Sequence, residues 1–442
     1  MEGRCVRRVR RAVGLLAVAA LAGCGSDELV ALDRVGSPDA PKTLRLQINA
    51  SYSHQAPTPA HADGFRRLFE RWAREHPEWR LELNIIPDSM STTEQARLLE
   101  KARVGQAPDC ANVDSYTVPL FVEQGALQPL DEHFSRQEVQ ELFPYVRDVI
   151  VGPDDHIYAW WWSTDLRVIF RRTDLVPEPP RTWDELIDSA REAERRDPNV
   201  DGYLFNGGRW EAATFDNLAY FWMQGGRLLD DEGRPVFADA ENGPKMLRVL
   251  ELLERAVESG ASPSRVTTFT SYDEFETAAQ GGAVAMFLGG SFQHSSMEEL
   301  LGEEEFSKWD VSMPPGPEPG QTATGTGGWT VAAFTDDDEK IAACMDIVRN
   351  VYVGAGNELT GELPTSRRLF DSLEAFQAPI YRRFDRYLAD GRARPGLAIY
   401  PALSSELQIA IGSVLTGSAT PRQALETARE RVQRTYELLA GR

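Results

Sequence analysis

The chain has 442 residues, 42% of them hydrophobic and 26% charged, with a formal charge of −21 at pH 7. That length exceeds what one ordinary core accommodates and points to two domains. The negative balance excludes nucleic acid and anionic lipid surfaces as electrostatic partners. The six histidines and four cysteines show no HExxH or CxxC spacing, and the chain contains neither a GxSxG elbow nor a phosphate-binding glycine loop. No metal, cofactor or serine-hydrolase chemistry is therefore expected.

In chain order, Arg4, Arg7, Arg8, Arg10 and Arg11 precede a short apolar run, Ala12 to Ala20. A basic start, an apolar middle and small residues before a cleavage point make a secretory signal, well short of the ~20 residues of a spanning helix. Five arginines and one glutamate leave with residues 1–23, a net of +4, so the remainder carries −25. The run Leu21-Ala22-Gly23-Cys24 resembles the lipobox of bacterial lipoproteins, in which the cysteine takes a diacylglycerol and becomes the new N-terminus. That resemblance implies a lipid anchor on Cys24 and a location outside the cytoplasm, on the outer face of the cell membrane or in the periplasm. An ordinary signal peptide with an incidental cysteine is the alternative. Residues 24–41, rich in Gly, Ser, Asp and Pro, are expected to form a flexible tether.

Alternation over Leu44–Ile48 predicts a first strand, followed by a loop to Asp63. Phe65, Leu68, Phe69 and Trp72 then share one helical face, which His76-Pro77 ends. A strand over Leu81–Ile85, a helix near 93–104 and a strand near 109–113 continue an α/β alternation. Thr182-Trp183-Asp184-Glu185 and Ser271-Tyr272-Asp273-Glu274 read as capping boxes, and Thr420-Pro421-Arg422-Gln423 as a third helix start. Cys5 leaves with the signal and Cys24 is the lipid site, so Cys110 and Cys344 remain in the folded body. Two buried free thiols are favoured over a disulfide, which an oxidising compartment would also permit.

Ligands of open α/β sheets sit beyond the carboxyl ends of strands, so the loops after strands are the first candidates. Ser51 to Gln55, including His54 and Gln55, follow the first strand; Asp114, Ser115 and Tyr116 follow the third. Trp160-Trp161-Trp162 cannot all face one core, because neighbouring side chains of a strand point to opposite faces. At least one, with Trp162 the candidate beside Asp165, should line a cleft, a surface or a second core. Trp210-Glu211 and Gly328-Trp329 again put an aromatic ring beside a carboxylate or glycine, whereas Tyr220, Phe221 and Trp222 suit a helix core. Flat rings beside carboxylates suit sugar rings with their hydroxyls.

Several ordered segments together resemble the extracellular solute-binding proteins of bacterial ABC importers, specifically the sugar-binding, maltose-binding-protein-like group. They are Val168 to Leu175 followed by Pro179 to Leu186, Gly281 to Met286, Gly327-Gly328, Glu362 to Thr365, Arg394-Pro395, Val414 to Gly417 and Gln423 to Leu425. The likeness spans roughly residues 43–440. It implies a two-lobe α/β fold of the periplasmic-binding-protein type (type II), joined by three hinge crossings near Ser163–Arg167, Val311–Pro315 and 368–376. Lobe 1 is then 43–164 with 313–370, and lobe 2 is 166–311 with 376–442. It also implies a monomeric receptor that performs no catalysis, binds carbohydrate and delivers it to ABC permease subunits. The implied ligand-binding residues are Asp165, Asp114 or Ser115, Trp329 beside Gly328, and Arg394, with Phe292 where some relatives carry a stacking tryptophan and His54-Gln55 where several carry a charged residue; Trp162 and Trp210 join them as candidates on their residue context alone. Two other readings use the same residues: a lipid-anchored glycoside hydrolase, and a sibling receptor for a polyamine or peptide.

Overall fold

The structure is a computed structural model and describes residues 29–87 and 92–441. The secretory signal and Cys24 lie outside the described residues.

The organising strands are β1 (Lys42–Asn49), β2 (Trp79–Ile86), β3 (Cys110–Asp114), β4 (Trp160–Arg172), β5 (Asp201–Leu204), β6 (Val284–Gly290), β7 (Trp309–Ser312) and β8 (Thr324–Ala333). The first half of the molecule contains the order β2-β1-β3-β8-β4, with β1 parallel to β2 and β3, and β8 antiparallel to β3 and β4. The second half contains β5-β6-β4-β7, with β5 parallel to β6 and both β6 and β7 antiparallel to β4. Strand β4 belongs to both. Its last partner on β8 is Thr326 opposite Leu166, and its first on β6 is Gly290 opposite Arg167. Twelve of its 13 residues are buried, as a strand covered on both faces requires.

The chain passes between the halves twice more. Residues 313–323 link β7 to β8. Later, Leu363–Pro364 pairs with β4 in the first half, Phe370 packs on Phe143, Phe376 packs on Phe370 and Tyr381, and Tyr381 reaches His294 in the second half. The helices obey their apolar spacing: Phe65, Phe69 and Trp72 on Pro59–Glu75 are buried, and the Trp72 indole donates to Asp346 at 2.8 Å. At Thr420 the full capping box forms with Gln423. At Thr182 only the hydroxyl caps; the Glu185 carboxylate instead accepts from the Arg181 N–H at 2.8 Å. The helix after Ser271 starts at Asp273, whose N–H donates to the Ser271 hydroxyl, while Glu274 accepts from the Thr270 N–H.

Three expectations are corrected. First, the expected tether is folded from residue 29. Val30–Ala31 and Arg34–Val35 form a hairpin on the outer edge of β2, with Val30 and Val35 buried. Apolar burial and coverage of an open sheet edge outweigh the loop-like composition. Second, Cys110 and Cys344 are joined as a disulfide across 234 residues of chain, with Cα atoms 6.6 Å apart. Strand β3 and helix Asp338–Ile347 bring the two thiols together, a distance that spacing alone did not contain. Third, Trp162, a candidate for lining a cleft, is buried together with the other two consecutive tryptophans. Trp160 stacks on Phe134 at 3.8 Å, Trp161 meets Tyr145, and Trp162 stacks on Tyr352 at 5.1 Å. The register with β8 shifts between Trp329 and Thr330, opposite Ser163 and Trp161, so Trp162 is the extra residue of a bulge.

Candidate functional site

A cleft of about 530 Å³ lies between the halves. Its floor is the place where β4 changes sheets. Asp165, next to the last β4 residue before that change, accepts the Gly327 N–H at 3.0 Å and lies 3.5 Å from the Arg167 guanidinium. The paired glycines opposite it are steric requirements. A Cβ on Gly328, at φ +137°, would run into the Ser163 carbonyl oxygen, and one on Gly327 would crowd Arg394 and Phe215. This close approach sets Trp329 on the cleft wall next to the β4 bulge.

Arg394 is the electrostatic centre of the floor. It is 3% exposed, and its guanidinium meets Asp114 at 2.7 Å and Glu211 at 3.3 Å, carboxylates from opposite halves. Tyr400 and Ser404 complete Glu211, donating at 2.7 and 2.6 Å. Burial pushes the Asp114 carboxyl up to about 6 despite the pull of Arg394, with Glu211 and Asp165 adding to the rise. For Arg394 burial acts to lower the pKa, but Asp114 and Glu211 more than reverse it, so the guanidinium stays charged. Arg167 forms a second buried pair with Asp216 at 2.5 Å, and Asp216 also accepts from Tyr272 at 2.8 Å and Asn206 at 2.6 Å. Both guanidinium groups pack on the Phe215 ring, 4.1 and 4.3 Å from its centroid.

Aromatic rings come from both walls. Tyr52 and Trp329 line the first half, with ring centroids 6.3 Å apart. Trp210, Tyr272 and Phe292 line the second, Tyr272 lying edge-on to the other two at 5.0 and 5.2 Å. The Tyr52 hydroxyl donates to Glu362 at 2.7 Å. Such a surface stacks on the C–H faces of flat rings and hydrogen-bonds hydroxyl groups. Among the described residues no group of three His, Cys, Asp or Glu side chains is placed to hold a metal ion.

The structure places Asp165, Asp114, Trp210, Gly328, Trp329, Phe292 and Arg394 on the cleft. Four other candidates are off it. Trp162 is in the core beneath Tyr52. Ser115 is buried in the tight turn Ser115–Thr117. His54 and Gln55 both turn away to the Leu32 carbonyl, where they hold the N-terminal hairpin. Arg394 is placed on the floor, but both its ion pairs are made to the protein itself. Sequence reasoning did not single out Tyr272, Glu276 or Glu362 as site residues. Tyr272 lay inside a helix-start motif, and Glu362 inside a motif used only for its resemblance.

The bacterial extracellular solute-binding protein family matches residues 58–346. A probable ABC transporter-binding protein of Deinococcus radiodurans is 27% identical over 352 residues, 73% of this chain and 80% of that protein. Among solved structures, maltose-bound MalE3 of T. maritima superposes with a TM-score of 0.76 at 21% identity, covering 88% of this chain and 99% of its own. An ABC transporter solute-binding protein of Thermotoga lettingae bound to α-D-tagatose gives 0.74 at 22% identity, covering 89% and 99%. These likenesses show the two-lobed fold of that class. With 289 consecutive residues matched, the chain belongs to the bacterial extracellular solute-binding protein family.

Proposed function

We propose that this protein is a lipid-anchored extracytoplasmic receptor that traps a carbohydrate between its halves and delivers it, chemically unchanged, to the permease subunits of an ABC importer. The observation that carries this reading is the cleft itself: rings from both walls alternate with carboxylates, and one buried arginine ties the floor to both halves. The named solutes of the related structures, maltose and α-D-tagatose, agree with it. Selectivity follows from burial, since a buried polar group deprived of its partner costs about 1–3 kcal/mol. The anchor is assigned to Cys24 on the lipobox resemblance alone. The halves proposed as lobes are residues 43–164 with 313–370 and 166–311 with 376–442, hinged where β4 changes sheets and where the two later links cross.

Thermal-shift screening of the mature chain against a carbohydrate panel tests the reading, because a ligand that binds only the folded state raises apparent stability by mass action. A saturable shift with the sugar recovered intact is expected. Recovery of a cleaved product would replace the receptor with a glycoside hydrolase. The Cys24→Ser variant is expected in the soluble fraction; persistence in membranes would refute the anchor.

A further inference from the structure

The charge of the cleft is unbalanced. Asp114, Asp165 and Glu362 line it from the first half and the β4 floor, and Asp273 and Glu276 from the second. Among the described residues Arg394 is the only lysine or arginine on the wall, and it is committed to Asp114 and to Glu211 behind them. Arg167 is committed to Asp216 and Asp165. His61 also lines the cleft, but burial lowers its pKa and so favours the neutral ring. A neutral sugar could hydrogen-bond these carboxylates, but it would leave their charge in place. Closure of the cleft would then press like charges together in a medium of falling dielectric.

Glu276 shows where compensation is needed. Its Oε1 accepts from the Ser296 hydroxyl at 2.7 Å and from Gln293 Nε2 at 3.4 Å. No described residue donates to its Oε2. Burial pushes this carboxyl up to about 7, and Asp273, one helical turn away, adds to the rise. Among the described residues no lysine or arginine is paired with it or acts on its carboxyl. Across the seam, Gly361 lies so close to Ser295 that a Cβ there would come within 2.7 Å of the Ser295 Cβ. Glu362 follows Gly361 and Ser296 follows Ser295, so Glu276 and Glu362 occupy two sides of one seam, one on each half. Tyr272 and Phe292 stand beside this corner and give a sugar ring its flat neighbours.

We propose that the solute selected by this cleft is an aminated carbohydrate, a sugar ring bearing a protonated amine, and that Glu276 is the specificity-determining carboxylate that receives the ammonium. An ammonium group supplies three donors and a positive charge at once, satisfying Oε2 and offsetting the acidic wall. This inference rests on the carbohydrate reading above.

Calorimetry separates the two. The probes are glucosamine, galactosamine and mannosamine, as single sugars and short oligomers, with their N-acetylated and hydroxyl counterparts; spermidine serves as a cation without a sugar ring. The amine forms are expected to bind ~10-fold or more tightly than the matched neutral forms, equivalent to at least about 1.4 kcal/mol. Glu276→Gln is expected to abolish most of that ratio, the amine forms losing more affinity than the matched neutral forms. Asp273→Asn, at an exposed position, is expected to shrink the same ratio and serves as the test if Glu276→Gln does not fold. Equal or tighter binding of the neutral sugars, or an amine preference that survives the substitution, overturns the inference and leaves the carbohydrate receptor standing. Failure of every sugar to bind the folded wild-type chain, with or without binding of spermidine, overturns both.

Discussion

Replacing Arg394 by Met removes the one charge that joins Asp114 to Glu211. The aliphatic stem and much of the volume remain, so the Tyr116 and Phe215 rings keep a neighbour. What is lost is the counter-charge of two buried carboxylates, 5% and 0% exposed in their side chains. Breaking a buried pair of this kind costs about 3–5 kcal/mol, because the remaining carboxylates are left without compensation. The loss should also depend on pH. With a folded value near 6, above its ordinary 3.8, Asp114 already takes a proton more readily folded than unfolded. Without Arg394 that value rises further, so protonation relieves the variant at low pH and not at high pH. Urea unfolding followed by circular dichroism at pH 5 and pH 8 measures both effects. The full loss is expected at pH 8 and a smaller one at pH 5. A loss below about 1 kcal/mol at pH 8, the size of an exposed pair, would show that Arg394 does not hold the floor together.

Other substitutions test other parts of the account. Trp329→Ala is expected to weaken sugar binding by ~10-fold through loss of ring contact, about 0.5–1.5 kcal/mol of it specific to aromatic geometry, with the unfolding midpoint little changed. Asp165→Asn keeps an acceptor for the Gly327 N–H and should lower sugar affinity without unfolding the chain; unchanged calorimetric affinity in both variants would place the site elsewhere. Gly328→Ala should destabilise by roughly 2 kcal/mol or more, from an unfavourable φ and the Ser163 carbonyl together, and a thermal melt equal to wild type would contradict the tight approach of β8 to β4. Glu276, raised from 4.5 to about 7, binds its proton more tightly folded than unfolded, so its contribution to stability is present below about pH 4.5 and is lost as pH rises to 7, on the order of 3 kcal/mol. Glu276→Gln should flatten that part of the stability profile; an unaltered profile would assign it to other groups.

Much of the architecture is legible along the chain because it is local. The alternation in Leu44–Ile48, the helical face of Phe65, Phe69 and Trp72, and the Thr420–Gln423 cap each depend on neighbours a few residues apart. The N-terminal hairpin is not legible: its strands are two residues long, too short to show a period, and the β2 edge that they cover is distant in sequence. The cleft divides in the same way. Asp114 stands out at a strand end, Trp329 beside paired glycines, and Asp165 beside a run of tryptophans. Tyr272 and Glu276 share one helix start, and Glu362 joins them at the cleft only because distant segments converge across the seam. Trp162 was a reasonable ligand contact by type, but a bulge in β4 turns it into the core against Tyr352. Arg167 sits mid-strand, and its partner Asp216 is 49 residues away, so nothing local marked the pair.

The central claim is that the solute rests between the two halves, against these rings and carboxylates. A crystal structure of the mature protein with the strongest-binding sugar of the panel tests it most directly. The account predicts an intact sugar in the cleft, in contact with Trp329 and hydrogen-bonded to Asp165. A sugar bound on an outer surface, or density for a cleaved product, would contradict it.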